Sequence, residues 1–142
     1  MSQENVDAMR MVYEAMARGD FWAAREVFDP EIVWEWAADL SGLTGVGEYH
    51  GIEGVEAATR DFFEAWDWFW QEAEEFIEVG DDVLVLTRIH GRPKGSDREI
   101  EHKAGEVWTF RDGKVIRHRS FASPAEALEA VGLSEQDAHA ES

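Results

Sequence analysis

Near the start of the chain, apolar residues recur at helical spacing. Val6, Met9, Tyr13 and Met16 lie three or four apart, which predicts a helix over 3–18. Gly19 is a natural stop, and Asp20 can cap a second helix over 21–28, with Phe21, Ala24 and Phe28 on one face. Asp29-Pro30 ends it. The period then changes to two. Ile32, Trp34 and Trp36 alternate with Val33 and Glu35, which predicts a strand over 31–36. A loop over 37–51 follows, with Gly42, Gly45, Gly47 and Gly51. Loops this long in compact domains are often lids or binding loops. The helical period returns over 53–70, where Val55, Thr59, Phe62, Trp66 and Trp70 form the stripe.

The remainder reads as sheet. Strands are expected over 72–79, 83–92, 98–110 and 114–121, separated by Gly80-Asp81-Asp82, by a turn over 93–97 and by Arg111-Asp112-Gly113. Ser123-Pro124-Ala125-Glu126 is a capping box with proline at the first helical position. It opens a short helix ending near Gly132, and a polar tail runs from Ser134. The expected class is α+β in a single domain over 1–133. Three N-terminal helices pack on the concave face of a curved mixed or antiparallel sheet, a cone open at one end, with a short C-terminal helix.

Charge and composition narrow the function. The chain has 13 basic and 31 acidic residues in 142, a formal net charge of −18. Such a surface repels phosphate, so neither nucleic acid nor an anionic membrane is an expected partner. The apolar runs are too short for a membrane span, and the first residues lack a signal-peptide pattern. There is no cysteine, which removes disulfides, thiol catalysis and thiolate metal sites and fits a cytoplasmic protein. No two histidines share a helix at ligand spacing, so neither a metal nor a cofactor is expected.

The aromatic content changes the picture most. Seven Trp, eight Phe and two Tyr can fill a core or line a cavity. By pattern, Trp34, Trp36, Trp66, Trp70 and Trp108 all face inward. Their flat faces suit a small, apolar, ring-shaped ligand, with Phe62 beside them and Tyr49 near the pocket mouth.

Polar groups in such a pocket follow from alternation. Ala104, Glu106, Trp108 and Phe110 share one side of the long strand. On the last strand, Ile116, His118 and Ser120 oppose Arg117, Arg119 and Phe121; arginines rarely face a core, so the first set points inward. A type I turn with Gly113 in a left-handed bulge pairs Trp108 with Ile116 and Glu106 with His118. A carboxylate beside an imidazole is an acid–base pair, with His118 as general acid or base and Glu106 as its partner. A structural pair satisfying two buried polar groups is the competing reading. Arg88 and His90 face inward if Leu84 and Leu86 do, and outward if Val83, Val85 and Ile89 point inward; the pattern is close to balanced.

Three segments carry a resemblance. Tyr13-Glu14-Ala15-Met16-Ala17-Arg18-Gly19-Asp20-Phe21, Tyr49-His50-Gly51-Ile52-Glu53-Gly54-Val55 and the hairpin from Val107 to Ile116 resemble the SnoaL-like, nuclear transport factor 2-like superfamily. The resemblance implies the cone fold and a homodimer formed through the outer sheet face, with Val83, Val85, Thr87, Val107 and Thr109 as candidates. It does not imply one activity, because the fold hosts isomerases, cyclases, epoxide hydrolases and binding modules. The ketosteroid isomerase general base falls at Trp36, and the oxyanion-hole tyrosine falls at Val12, leaving Tyr13 one residue away and facing elsewhere. The second oxyanion donor, a carboxylic acid, matches Glu106. The last-strand aspartate of cyclases and epoxide hydrolases falls at Ser120, and the Arg-x-Asp of the hydrolases at Arg88-Ile89-His90.

The expected function is therefore binding of a small apolar neutral molecule, with cofactor-free proton transfer in an isomerase, cyclase or hydrolase. The expected catalytic residues are Glu106, His118, Arg88 and His90, and the pocket is lined by Trp34, Trp36, Tyr49, Phe62, Trp66, Trp70, Trp108 and Ser120. A non-catalytic ligand-binding or dimeric interaction domain is the alternative.

Overall fold

The computed structural model describes residues 2–20, 25–36 and 47–134. Among the described residues the elements in chain order are α1 (Ser2–Ala17), β1 (Phe28–Trp36), β2 (Gly47–His50), α2 (Gly51–Glu64), β3 (Trp66–Val79), β4 (Asp82–Pro93), β5 (Ile100–Arg111), β6 (Lys114–Phe121) and α3 (Pro124–Ala130). The strands form one mixed sheet in the order β2-β1-β6-β5-β4-β3. Only β1 and β6 run parallel; the other neighbours are antiparallel. α1 and α2 lie on the inner face and α3 on the outer, which is the expected α+β cone.

The inner core joins Val6, Met9, Val12 and Tyr13 of α1 to Val55 and Ala58 of α2. Across from them stand Ile32 and Trp34 of β1, Val83 and Val85 of β4, and Trp108 and Phe110 of β5. A smaller core lies on the outer face, where Ala127 and Leu128 of α3 cover Ile77, Leu84 and Val107. Ser123 caps α3 as the sequence predicts, its hydroxyl accepting from the Glu126 N–H at 3.2 Å.

Several expected boundaries move. The predicted helix over 21–28 lies partly outside the described residues; its described end is a 3₁₀ turn over 25–27, and Phe28 already belongs to β1. The glycine-rich loop ends in β2, which pairs with β1, and residues 37–46 lie outside the description. α2 ends at Glu64, six residues before the predicted stop, and Trp66 to Trp70 continue as strand. That aromatic run satisfies both periods locally, and tertiary pairing decides: Trp66, Trp68, Phe69 and Trp70 pair with Pro93, Arg92, Gly91 and His90 of β4. Gly91 makes room for this, since a Cβ there would sit 2.7 Å from the Trp66 ring.

The last hairpin also differs in register. Asp112 and Gly113 both have positive φ, 53° and 81°, which is a two-residue type I′ turn. Arg111 pairs with Lys114 and Phe110 with Val115. A bulge then inserts Ile116, so that Thr109 meets Arg117, Trp108 meets His118 and Glu106 meets Ser120. The bulge sends Val115, His118 and Ser120 inward and leaves Ile116 half-buried, contrary to the expected inward Ile116.

Gly105 is where α3 touches the sheet, and a Cβ there would lie 2.5 Å from the Ala127 methyl. Gly105→Ala should therefore lower unfolding free energy by about 1–3 kcal/mol, the usual cost of overpacking. Ala127→Gly alone should cost about 1 kcal/mol through helix propensity. In denaturant titrations the double variant should be no less stable than Gly105→Ala; simple additivity of the two losses would contradict this packing.

Candidate active site

Three elements bring one buried polar trio together. Tyr13 projects from α1, Glu106 from the middle of β5 and His118 from β6 after its bulge. The Tyr13 hydroxyl donates to Glu106 Oε1, and His118 Nε2 lies 2.8 Å from Glu106 Oε2. Trp108 Nε1–H donates to the Tyr13 oxygen at 3.1 Å. His118 has no exposed surface. Its ring stacks on Trp34 at 3.9 Å between centroids, with Trp108 at 4.4 Å. Phe28 and Trp108 stack in turn at 6.0 Å. Ring packing thus fixes the imidazole plane, and the hydrogen bonds fix the carboxylate.

Burial pushes the Tyr13 hydroxyl well above its ordinary pKa, and the adjacent Glu106 charge and hydrogen bond push the same way. Tyr13 therefore keeps its proton and serves as a donor.

A cavity opens beside this trio. Its free volume is about 600 Å³ including the open mouth, of which the centre of a water molecule can occupy about 60 Å³. Its apolar wall includes Met16, Trp34, Phe62, Phe69, Ile89 and Trp108. Phe63 also lines it and is half exposed, which places it at the mouth. Glu106 is the only ionisable side chain lining it among the described residues. Gln71, Thr87 and Ser120 supply neutral polar groups, and the hydroxyls of Thr87 and Ser120 have no hydrogen-bond partner among the described residues. Thr59, the remaining hydroxyl, is already bonded to the Val55 carbonyl at 2.7 Å.

The structure unites some of the expected site residues and separates others. Trp34, Phe62, Glu106, Trp108 and Ser120 line the cavity. His118 bonds Glu106 as expected but lies behind the wall, so Glu106 is the member that faces the cavity. Trp66 is buried against Phe62 and Phe69 outside the lining, and Tyr49 packs on the inner core without reaching it. The Trp36 side chain lies outside the described residues.

Trp70, Arg88 and His90 are corrections. With Val83, Val85, Thr87 and Ile89 turned inward, strand alternation puts Arg88 and His90 on the outer face. There Trp70, 50% exposed, stacks on His90 at 3.9 Å. Arg88 lies 3.1 Å from Glu74, and His90 3.1 Å from Glu101. The same geometry removes Val83, Val85 and Thr87 from the proposed outer dimer face, and Val107 is covered by α3.

Tyr13 is the residue that sequence reasoning missed. Its signal was present, because it belongs to the Val6, Met9, Tyr13, Met16 stripe of α1 and so had to face the sheet. The Tyr13 proton gives a test with a defined sign. The folded protein holds a proton that the unfolded chain releases near pH 10.0. The folded state then binds more protons, so stability falls as pH rises from there toward the folded pKa. Denaturant midpoints measured across that alkaline range should fall more steeply in the wild type than in Tyr13→Phe; equal slopes would show that the phenol is not held in this way.

Comparison with known proteins agrees with the geometry. Residues 9–118 match the model of the SnoaL-like domain. No curated protein matches the chain. Among solved structures, a nuclear transport factor 2-like protein of unknown function from Burkholderia pseudomallei K96243 is 25% identical with a TM-score of 0.76, over 93% of this chain and 99% of that one. TerC, co-crystallised with polyporic acid, is 20% identical with a TM-score of 0.74, over 90% of this chain and 97% of that one. Bal32a, from a soil-derived mobile gene cassette, is 21% identical with a TM-score of 0.72, over 84% and 88%. With the family model spanning most of the chain and the cone fold in place, the protein belongs to the SnoaL-like domain family.

Proposed function

We propose that the protein is a cofactor-independent enzyme that moves a proton within a small, neutral, largely apolar molecule. One observation carries this reading: the cavity is aromatic and apolar except for a few polar groups, and its single ionisable group, among the described residues, is a carboxylate tied down from behind. Apolar walls with few convergent polar groups are the usual form of a small-molecule site. TerC, a relative in fold, was crystallised with a small molecule, which supports ligand binding as a use of this scaffold.

In this reading Glu106 is the general base and then the general acid. In its ionised form it accepts from Tyr13 and His118, which leaves the remaining lone pairs for a substrate proton. A C–H bond next to a carbonyl breaks, the proton goes to Glu106, and the electron pair passes through the new C=C bond to the carbonyl oxygen. Where a C=C bond adjoins the enolate, the electron pair reaches a further carbon and return of the proton there gives isomerisation; attack of the carbanion on a second carbonyl, with the proton passing from Glu106 to the alkoxide so formed, gives cyclisation. His118 and Tyr13 are positioning residues; they hold the carboxylate and do not touch substrate. The sequence-based roles of Glu106 and His118 are thereby exchanged.

Deuterium uptake from D₂O at the carbon beside the carbonyl of cyclohexanone, followed by NMR, tests this. The wild type should accelerate exchange over buffer. Glu106→Gln keeps the shape and should lose about a hundredfold or more, the usual scale of general-base catalysis. Unchanged exchange in Glu106→Gln would refute the assignment.

A further inference from the structure

Thr87 and Ser120 are almost wholly buried, at 1% and 3% exposure, and neither hydroxyl has a partner among the described residues. Both line the cavity. A buried hydroxyl without a partner is destabilising, and few such groups persist in native structures without a reason. Neighbouring Thr59 shows the ordinary solution, a bond to its own helix backbone. Thr87 and Ser120 make no such bond to the strands around them. Their free donor and acceptor positions point to a ligand.

Their placement says which kind. Ser120 stands directly across from Glu106 on β6. Thr87 stands across from Ala104 on β4, so it is the diagonal neighbour of Glu106 on the other side. The two hydroxyls thus flank the carboxylate from strands that are two apart and two residues out of step. At ordinary strand spacing and rise that separation is roughly 12 Å between backbones. Both side chains project from the same concave face, so their hydroxyls stand no farther apart than that, and two hydrogen bonds of roughly 2.8 Å each leave at most roughly 6 Å between the ligand atoms they bind. A six-membered ring with oxygens at opposite corners fits that span. The ring itself would lie against the aromatic wall of Trp34, Trp108 and Phe69.

We infer that the cavity selects a neutral six-membered ring bearing an oxygen, carbonyl or hydroxyl, at each of two opposite positions, gripped by Ser120 at one end and Thr87 at the other. The inference rests on the cavity being the ligand site proposed above. A dianionic or carboxylated ring is disfavoured because Glu106 lies between the two grips. When Glu106 takes a proton from a carbon next to the carbonyl, the enolate oxygen accepts from the hydroxyl at that end; the opposite grip holds the ring in place. Ser120, nearer to Glu106, is the hydroxyl that meets the reacting carbonyl.

The probes are 1,4-cyclohexanedione, with two opposed carbonyls, and cyclohexanone, with one. Ligand-observed NMR titration should show the dione binding at least about tenfold more tightly to the wild type, the scale of a buried hydrogen bond made rather than missed. Thr87→Val and Ser120→Ala should each bring the dione close to the cyclohexanone affinity. Both variants should melt at or above the wild-type temperature, since each removes an unpartnered hydroxyl. Equal binding of the two probes by the wild type, or failure of both to bind, would overturn the inference. So would a lower melting temperature in both variants, which would show that the hydroxyls are bonded within the protein. A clear preference for the dione without catalysed deuterium exchange would support the two-ended grip while contradicting the role of Glu106 as a base.

Discussion

The hydrogen-bonded contact among Tyr13, Glu106 and His118 is the constraint on which the rest of the site depends. A carboxylate in an apolar interior is costly unless its oxygens are satisfied. Here the Tyr13 hydroxyl of α1 donates to one oxygen, and the His118 ring of β6 is hydrogen-bonded to the other. The contact therefore does two things at once. It fastens the first helix to the concave face of the sheet, and it leaves the carboxylate facing open space. Trp34 and Trp108 complete the arrangement by enclosing the imidazole, so that His118 can adopt few other orientations.

The sheet uses its two faces for different purposes. Inner residues of β4 and β5 pack on α1 or line the cavity, and outer residues of the same strands lie under α3. Gly105 permits the close approach of α3 while its neighbours Ala104 and Glu106 face the cavity. Beyond α3, the outer face carries a polar row of Arg88, His90, Glu72, Glu74 and Glu101, with Trp70 stacked on the histidine. The acidic surplus of the chain is thus spent partly on that surface, separated by a sheet layer from the apolar cavity.

Much of this was legible in the sequence, for physical reasons that also explain the failures. Helix α1, β4 to β6, the part of β3 from Glu72 onward and the α3 cap follow from periodicity and capping chemistry. The nearness of Glu106 and His118 was also legible, although through a mistaken hairpin. The sequence shows an Asp-Gly turn and an inward His118; reconciling them required a bulge, which sits at Ile116 and not in the turn. β4 was illegible because Val83, Val85, Leu84 and Leu86 make both of its faces apolar, so alternation has no polar side to report. Trp66 and Trp70 misled because helix and strand periods both fit them until pairing with β4 decided. Tyr13 lies one residue from the position of a relative's tyrosine, and the stripe of its own helix decides its direction. The unpartnered hydroxyls of Thr87 and Ser120 could not have been recognised from sequence, since a missing hydrogen bond is a property of three dimensions.

The account stands or falls on Glu106 being an ionised acceptor to which His118 Nε2–H donates a hydrogen bond. Nitrogen-15 NMR of the His118 ring measures this directly, because a protonated Nε2 and an unprotonated one have well-separated shifts and only the first shows a directly bonded proton. At neutral pH the account predicts a proton on Nε2, protected from solvent exchange and lost from its hydrogen-bonded position in Glu106→Leu. An unprotonated Nε2 accepting a hydrogen bond would place the proton on Glu106 instead, and would contradict its assignment as the base.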